Sequence, residues 1–212
     1  MLDSINTPIL CKQVPRIGNK FSQWLGTAVL KSMGWSYSGT FPCCSKMIIG
    51  VAPHTSNWDF VLGLAVAFNL RLKISFFGKH SLFIPPFSRL LRRCGGIPIE
   101  RNTKHGVVDG MADKMRDAKS MVLCLAPEGT RSPVSPWKTG FLHIAHKSNV
   151  PVFLVAFDYK KKLIEFGPIH NIGDNIQYEL NRIYLHFKQV QGEYPEKMMT
   201  KIIPPAEREI ER

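Results

Sequence analysis

The sequence predicts an α/β fold: a single domain built on a mixed, mostly parallel sheet flanked by helices, with an amino-terminal amphipathic helix ahead of it. Three observations carry that expectation. Short apolar runs alternate with stretches of helical period, the pattern of strands joined by crossover helices. The chain has 212 residues, long enough for one sizeable α/β domain and short for two. Apolar residues make up 44% and charged residues 21%, ordinary globular usage that argues against disorder and against a protein of many membrane spans.

Residues 1–20 hold Pro8, Pro15 and scattered charge without a clear period, and read as a loosely ordered arm. From Phe21 to Trp35, the residues Phe21, Trp24, Leu25, Val29, Leu30 and Met33 recur at the spacing of one helical face. Such a face covers a core or lies in a membrane interface. Met47 to Ala52 reads as a buried strand and Trp58 to Leu70 as a helix. Lys73 to Gly78 is a second strand, Ser88 to Arg93 a short basic helix, and Ile97 to Arg101 a short strand running into a turn. Val107, Val108, Met111 and Met115 give helical spacing across Thr103 to Ala118, and Met121 to Ala126 is a continuous apolar strand. A helix from Gly140 to Ser148, a strand from Val152 to Phe157 and another near Leu163 to Phe166 follow. The expected division is an arm with its amphipathic helix over 1–45, the main domain over 46–190, and a charged tail over 191–212.

In a parallel sheet the loops that leave the strands' carboxyl ends gather on one edge, so motifs at several strand ends can form one site. The first such motif is Val51-Ala52-Pro53-His54-Thr55-Ser56-Asn57-Trp58-Asp59-Phe60. Five steps along a continuous helix would rotate His54 and Asp59 about 140° apart, so the two meet only if a turn stands between them. A strand-end loop entering a helix supplies that turn, with His54 on the loop and Asp59 in the first helical turn. The carboxylate could then hold one ring nitrogen while the other removes a proton from a hydroxyl. Ser56 and Asp59 also match a capping box, and the two readings are compatible.

Gly95-Gly96-Ile97-Pro98-Ile99-Glu100-Arg101 sets an arginine at a strand end, where its planar fork suits a phosphate; the bland alternative is a solvated surface arginine. Ala126-Pro127-Glu128-Gly129-Thr130-Arg131 follows an apolar strand. There Gly129 permits close backbone approach, Glu128 can bind hydroxyls, and Thr130 and Arg131 can hold a phosphate or headgroup. Pro151 opens one more buried strand, a wall of such a site rather than a participant.

Lys plus Arg number 28 against 16 Asp plus Glu, a net charge of +12. An anionic partner is implied, either lipid headgroups, a phosphorylated substrate or nucleic acid. The sequence carries no zinc-finger, helix-turn-helix or RNP aromatic pattern, which argues against nucleic acid. Cys11, Cys43, Cys44, Cys94 and Cys124 show no paired zinc spacing and no secretory leader precedes them. They read as reduced thiols facing a cytosolic milieu, with Cys124 in the core and no metal centre expected. The longest nearly apolar stretch, Phe60 to Leu70, is eleven residues, too short to cross a bilayer.

Taken in order, the four blocks resemble the glycerolipid acyltransferase family typified by 1-acylglycerol-3-phosphate acyltransferases. The likeness spans roughly residues 47–157: the His-x-x-x-x-Asp motif falls on His54 and Asp59, the Gly-Gly-x-x-x-x-Arg block on Gly95 to Arg101, the Glu-Gly-Thr-Arg block on Glu128 to Arg131, and the proline-opened strand on Pro151. The resemblance implies that His54 is a general base and Asp59 its orienting partner. It implies that Arg101, Glu128, Gly129, Thr130 and Arg131 bind the acceptor. The expected reaction moves a fatty acyl group from acyl-CoA or acyl-carrier protein to the hydroxyl of a lysophospholipid, with lysophosphatidate the leading acceptor. Another lyso-lipid, with an aminolipid or glycolipid headgroup, is the first alternative. A noncatalytic protein that keeps the fold and binds anionic membrane is the second.

A thioester is already activated, so direct attack by the acceptor alcohol is expected, with no acyl-enzyme, no cofactor and no metal. Backbone amides in the turn after His54 are expected to stabilise the oxyanion. Members of the family often carry a longer amino-terminal hydrophobic portion, where this chain offers the amphipathic stretch from Phe21. A peripheral or monotopic seat on the cytoplasmic face of an anionic membrane is therefore expected, with Phe83-Ile84-Pro85-Pro86-Phe87 as an exposed second contact beside Lys79, Arg89, Arg92 and Arg93.

Overall fold

The computed structural model describes residues 5–99, 104–129, 137–188, 190, 192 and 194. In chain order the elements are α1 (Lys20–Ser32), β1 (Ser36–Gly39), β2 (Lys46–Ala52), α2 (Trp58–Asn69), β3 (Ile74–Lys79), α3 (Phe87–Arg93), β4 (Gly96–Ile99), α4 (Lys104–Asp117), β5 (Met121–Leu125), α5 (Gly140–Ser148), β6 (Val152–Asp158), β7 (Leu163–His170) and α6 (Ile176–Phe187), with a 3-10 turn over His80–Leu82.

One seven-stranded sheet has the order β1-β7-β6-β2-β5-β3-β4. Its pairings are parallel except β6 with β7, which are antiparallel. The expected mixed, mostly parallel α/β architecture is the observed one. Alternation along the strands divides the core into two faces. On β6, Val152, Leu154 and Ala156 face Met111, Met115 and Leu142 of α4 and α5 together with Leu180 and Ile183 of α6. Phe153, Val155 and Phe157 face the other side, toward Leu30 of α1, Leu62 of α2, Trp35, Tyr37 and Phe41.

Two elements lie outside the expected set. β1 is only four residues long and pairs with β7 at the sheet edge, too short for period-2 alternation to mark it. α6 buries Leu180, Ile183, Tyr184 and Phe187, a helical spacing plainly present in the sequence. The arm also departs from expectation: Leu10 and Val14 are buried among the residues of the second face. It is tied down by a disulfide between Cys11 and Cys43, whose Cα atoms lie 5.3 Å apart. The expectation that all five thiols stay reduced is corrected there, because apolar packing of the arm brings Cys11 against the loop before β2. Cys124 lies half-buried against the second face rather than inside it, with burial pushing its thiol up to about 12, an inert group.

α1 starts on a capping box in which Asn19 Oδ1 accepts from Ser22 N and Ser22 Oγ accepts from Asn19 N, each at 3.0 Å. It crosses α2 closely. A Cβ on Gly26 would stand 2.5 Å from Asn69 N and 2.6 Å from Ala65 O, so only glycine lets the two backbones approach this far. A polar chain runs beneath the crossing, with Tyr37 Oη donating to Asn69 Oδ1 and Asn69 Nδ2 to Thr27 Oγ1, both at 2.8 Å. The outer side of α1 leaves Phe21 68% and Trp24 62% exposed. No helix among the described residues is long and apolar enough to cross a membrane.

The segment after β3 corrects another expectation. Phe83 is 9% exposed, so it is not a surface contact. Its ring occupies space left by Gly78 and Gly96, where an added Cβ would meet it at 2.7 and 2.9 Å. Arg92 lies over the same ring, 5.5 Å from its centroid. Among the described side chains of this region Leu82, Ile84 and Leu90 are exposed; that of Phe87, part of the expected contact, lies outside the described ones.

Candidate active site

β2 is flanked by β6 and β5, and all three run in the same direction. The chain leaves β2 at Ala52 and reaches His54 two residues later; it leaves β5 at Leu125 and reaches Glu128, and leaves β6 at Asp158 and reaches Tyr159. These residues therefore converge on the carboxyl edge of the sheet.

The turn that His54 and Asp59 require is present. Residues 53–57 bridge β2 and α2, and Asp59 stands in the first turn of the helix. His54 Nδ1 lies 3.1 Å from Asp59 Oδ2, with the imidazole 22% exposed and the carboxylate only 2%. Nδ1 thus donates to the carboxylate, and Nε2 is left as the acceptor for a proton arriving from solvent or substrate.

The same Oδ2 accepts the backbone N–H groups of Thr55 and Ser56, each at 2.8 Å. Asp59 thereby ties its own turn together and closes the half of the capping box expected of it. The other half differs, because Ser56 Oγ accepts from Trp58 N at 3.0 Å rather than from Asp59. These bonds also narrow the oxyanion expectation. The Thr55 and Ser56 amides point at Asp59, so neither stands available for a substrate oxyanion.

Two contacts add to the pair from distant parts of the chain. Tyr159 Oη donates to Asp59 Oδ1 at 2.6 Å. Glu128 Oε2 accepts the backbone N–H of His54 at 2.7 Å, so that one oxygen of Glu128 supports the His54 loop from below. Tyr194 N donates to Thr55 Oγ1 at 3.2 Å, bringing the chain beyond α6 over the same loop.

The two carboxyls are driven apart electrostatically. Burial pushes Asp59 up, but hydrogen bonds from His54, Tyr159 and the Ser56 amide outweigh it and hold the group below its ordinary 3.8. Burial pushes Glu128 from 4.5 up to about 8; the His54 amide opposes the rise and the Asp59 charge adds to it. Asp59 is the ionised partner of the site and Glu128 is largely protonated at neutral pH.

Gly129 adopts φ +62, a left-handed conformation that favours glycine, and a Cβ there would meet Lys138 Cδ at 2.8 Å. Lys138 Nζ stands 3.0 Å from the same point, adding a cation beside the loop that no motif marks. Arg101, Thr130 and Arg131 lie outside the described residues. Of the expected site, His54, Asp59, Glu128 and Gly129 are thus placed at one sheet edge. Tyr159 and Lys138 were not foreseeable from a local pattern: each is one residue of an unremarkable segment, brought in by strand order. Among the described residues no group of three or more His, Cys, Asp or Glu could hold a metal ion.

The Acyltransferase family model matches residues 37–158, which include the His54, Glu128 and β6 segments. Two curated relatives, both named 1-acyl-sn-glycerol-3-phosphate acyltransferase, come from Limnanthes alba and Limnanthes douglasii. Each is 27% identical over 149 residues, covering 65% of this chain and 50% of the relative. The chain thus spans about half the length of these relatives. The crystal structure of the 1-acyl-sn-glycerophosphate (LPA) acyltransferase from Thermotoga maritima superposes with a TM-score of 0.56 at 18% identity, covering 82% of this chain and 81% of that one. That likeness establishes a shared fold.

Proposed function

The chain belongs to the acyltransferase family, and from that premise we propose that it transfers a fatty acyl group from an acyl thioester to the hydroxyl of a lysophospholipid, with 1-acylglycerol-3-phosphate as the acceptor. The observation that carries the proposal is the His54–Asp59 pair, a solvent-reachable imidazole whose Nδ1 lies 3.1 Å from a buried carboxylate.

The chemistry follows from that geometry. The acceptor hydroxyl gives its proton to His54 Nε2 as its oxygen attacks the thioester carbonyl. Asp59 holds the resulting imidazolium through Nδ1–H. The tetrahedral adduct then expels the thiolate, the carbon–sulfur bond breaks, and the imidazolium returns its proton to the leaving sulfur. An ester and a free thiol result, and His54 is neutral again. No protein nucleophile enters the sequence, and no cofactor is needed beyond acyl-CoA or acyl-carrier protein as donor.

Arg101, Thr130 and Arg131 are assigned to the acceptor phosphate, for which a guanidinium supplies paired donors. Gly129 lets the backbone approach the headgroup, and Glu128, largely protonated, can donate to a polar group of the acceptor through the carboxyl oxygen not facing His54. The net charge of +12 and exposed Phe21, Trp24, Leu82, Ile84 and Leu90 support a peripheral or monotopic seat on an anionic membrane surface, where a lysophospholipid would be met.

A panel of lyso-acceptors offered with a single acyl-CoA, read by mass spectrometry of the products, tests the assignment. Phosphatidate formed from 1-acylglycerol-3-phosphate in preference to products from neutral and aminolipid acceptors is expected. Acylation confined to acceptors that lack a terminal phosphate would overturn it.

A further inference from the structure

Asp59 is anchored through both of its oxygens, and the two anchors have different origins. Oδ2 faces its own turn, where it meets His54 Nδ1 and the Thr55 and Ser56 amides. Oδ1 receives the hydroxyl of Tyr159, at 2.6 Å from a residue one hundred positions away. Tyr159 follows the last residue of β6, the strand paired directly with β2, so the sheet itself delivers it to this point. Its ring is seated independently: Trp35 meets it edge-on, with centroids 4.9 Å apart at 89°. Lys162 Nζ lies 5.4 Å from the Tyr159 centroid and 5.3 Å from that of Trp35.

We propose that Tyr159 is a positioning residue for acyl transfer: its hydroxyl locks the Asp59 carboxylate so that Oδ2 faces His54 Nδ1, and through that bond it sets the tautomer and proton affinity of the base. The proposal rests on the reading of His54 as the base.

A carboxylate held at one oxygen can turn about its Cβ–Cγ bond, whereas one held at both cannot. A buried oxygen without a donor is also costly, so Oδ1 needs a partner in this environment. The kind of partner matters. A lysine or arginine at this position would offset the Asp59 charge and weaken its hold on an imidazolium. A phenol donates a hydrogen bond and brings no charge. Among the described residues the ionisable groups facing Asp59 are His54 from its own loop, Glu128 from the loop after β5, and Tyr159 from the turn after β6, behind whose ring Lys162 stands. Without the phenol the negative charge is less stabilised, and the coupled His54–Asp59 pair takes up a proton at higher pH.

Tyr159→Phe removes the hydroxyl and keeps the ring against Trp35, so the fold is retained. In a continuous thiol-release assay with acyl-CoA and 1-acylglycerol-3-phosphate, kcat should fall about 10-fold, the size of a lost hydrogen bond to a charged group. Both KM values should stay within about twofold, and the acid limb of kcat against pH should move upward by about half a pH unit or more. Two-dimensional NMR of the imidazole signals, with His54 assigned by its loss in His54→Ala, should show the same upward movement without any turnover. Wild-type kcat and an unmoved acid limb in Tyr159→Phe, beside an inactive His54→Ala, would overturn the role of Tyr159 and leave the base standing. A drop in kcat with an unmoved acid limb and imidazole titration, accompanied by a lower Tm, would reduce Tyr159 to a packing residue and also overturn it. A fully active His54→Ala would remove the base itself, and this proposal with it.

Discussion

Glu128→Gln should make the protein more stable in alkaline solution while leaving its acid stability nearly unchanged. Glu128 is 7% exposed, and burial together with the Asp59 charge pushes its carboxyl from 4.5 up to about 8 against the opposing pull of the His54 amide. A carboxyl with a raised folded-state pKa binds its proton more tightly when folded. Its contribution to stability is therefore fully present below 4.5 and is lost as pH rises through 8. At about 1.4 kcal/mol per pH unit over that interval, the loss is on the order of a few kcal/mol. Glutamine cannot ionise, yet its carbonyl oxygen can still accept the His54 N–H now taken by Oε2 at 2.7 Å. Urea unfolding of both proteins between pH 5 and 9 is the assay, read as the difference between variant and wild type so that other titrations cancel. The difference should grow in favour of Glu128→Gln as pH rises and level off above 8. A difference that stays flat across this range would refute a protonated, loop-supporting Glu128.

Two further outcomes follow from the site and the surface. Arg101→Ala and Arg131→Ala should raise KM for a phosphate-bearing acceptor more than for acyl-CoA, each by about 10-fold or more for a lost charge-assisted contact, with lysine rescuing only in part. Equal effects on acceptors with and without phosphate would contradict the phosphate assignment. Flotation with anionic liposomes should show binding that weakens with salt and with Phe21→Ser plus Trp24→Ser, two residues exposed on α1, while far-UV circular dichroism stays unchanged. Each basic residue near the surface adds about 1 kcal/mol on anionic lipid, so indifference to lipid charge and salt would oppose this seating.

What the sequence made legible was local. The His54 and Asp59 spacing works because a strand end, a turn and a helix start are consecutive, so one short window contains both the chemistry and the geometry. Strands β2, β5 and β6 show as unbroken apolar runs because both of their faces are buried. Residues delivered by strand order left no such mark. Tyr159 is adjacent to Asp59 only because β6 pairs with β2, and Lys138 approaches Gly129 only through the path between β5 and α5. The Glu-Gly-Thr-Arg block was found by its residues, yet no pattern could tell that one oxygen of Glu128 would turn inward to the His54 amide. Phe83 looked exposed in a proline-rich stretch because the glycines that make room for it, Gly78 and Gly96, belong to two neighbouring strands.

In the proposed mechanism the His54–Asp59 pair removes the acceptor's proton during acyl transfer. Its most direct test is acceptor-dependent CoA release by purified His54→Ala beside wild type, at matched circular dichroism and Tm. Wild type should free CoA only when 1-acylglycerol-3-phosphate is present, and His54→Ala should be slower by about 10²–10⁴-fold, the usual contribution of a general base. Wild-type turnover in His54→Ala, or CoA release by neither protein alongside undiminished liposome binding, would contradict it.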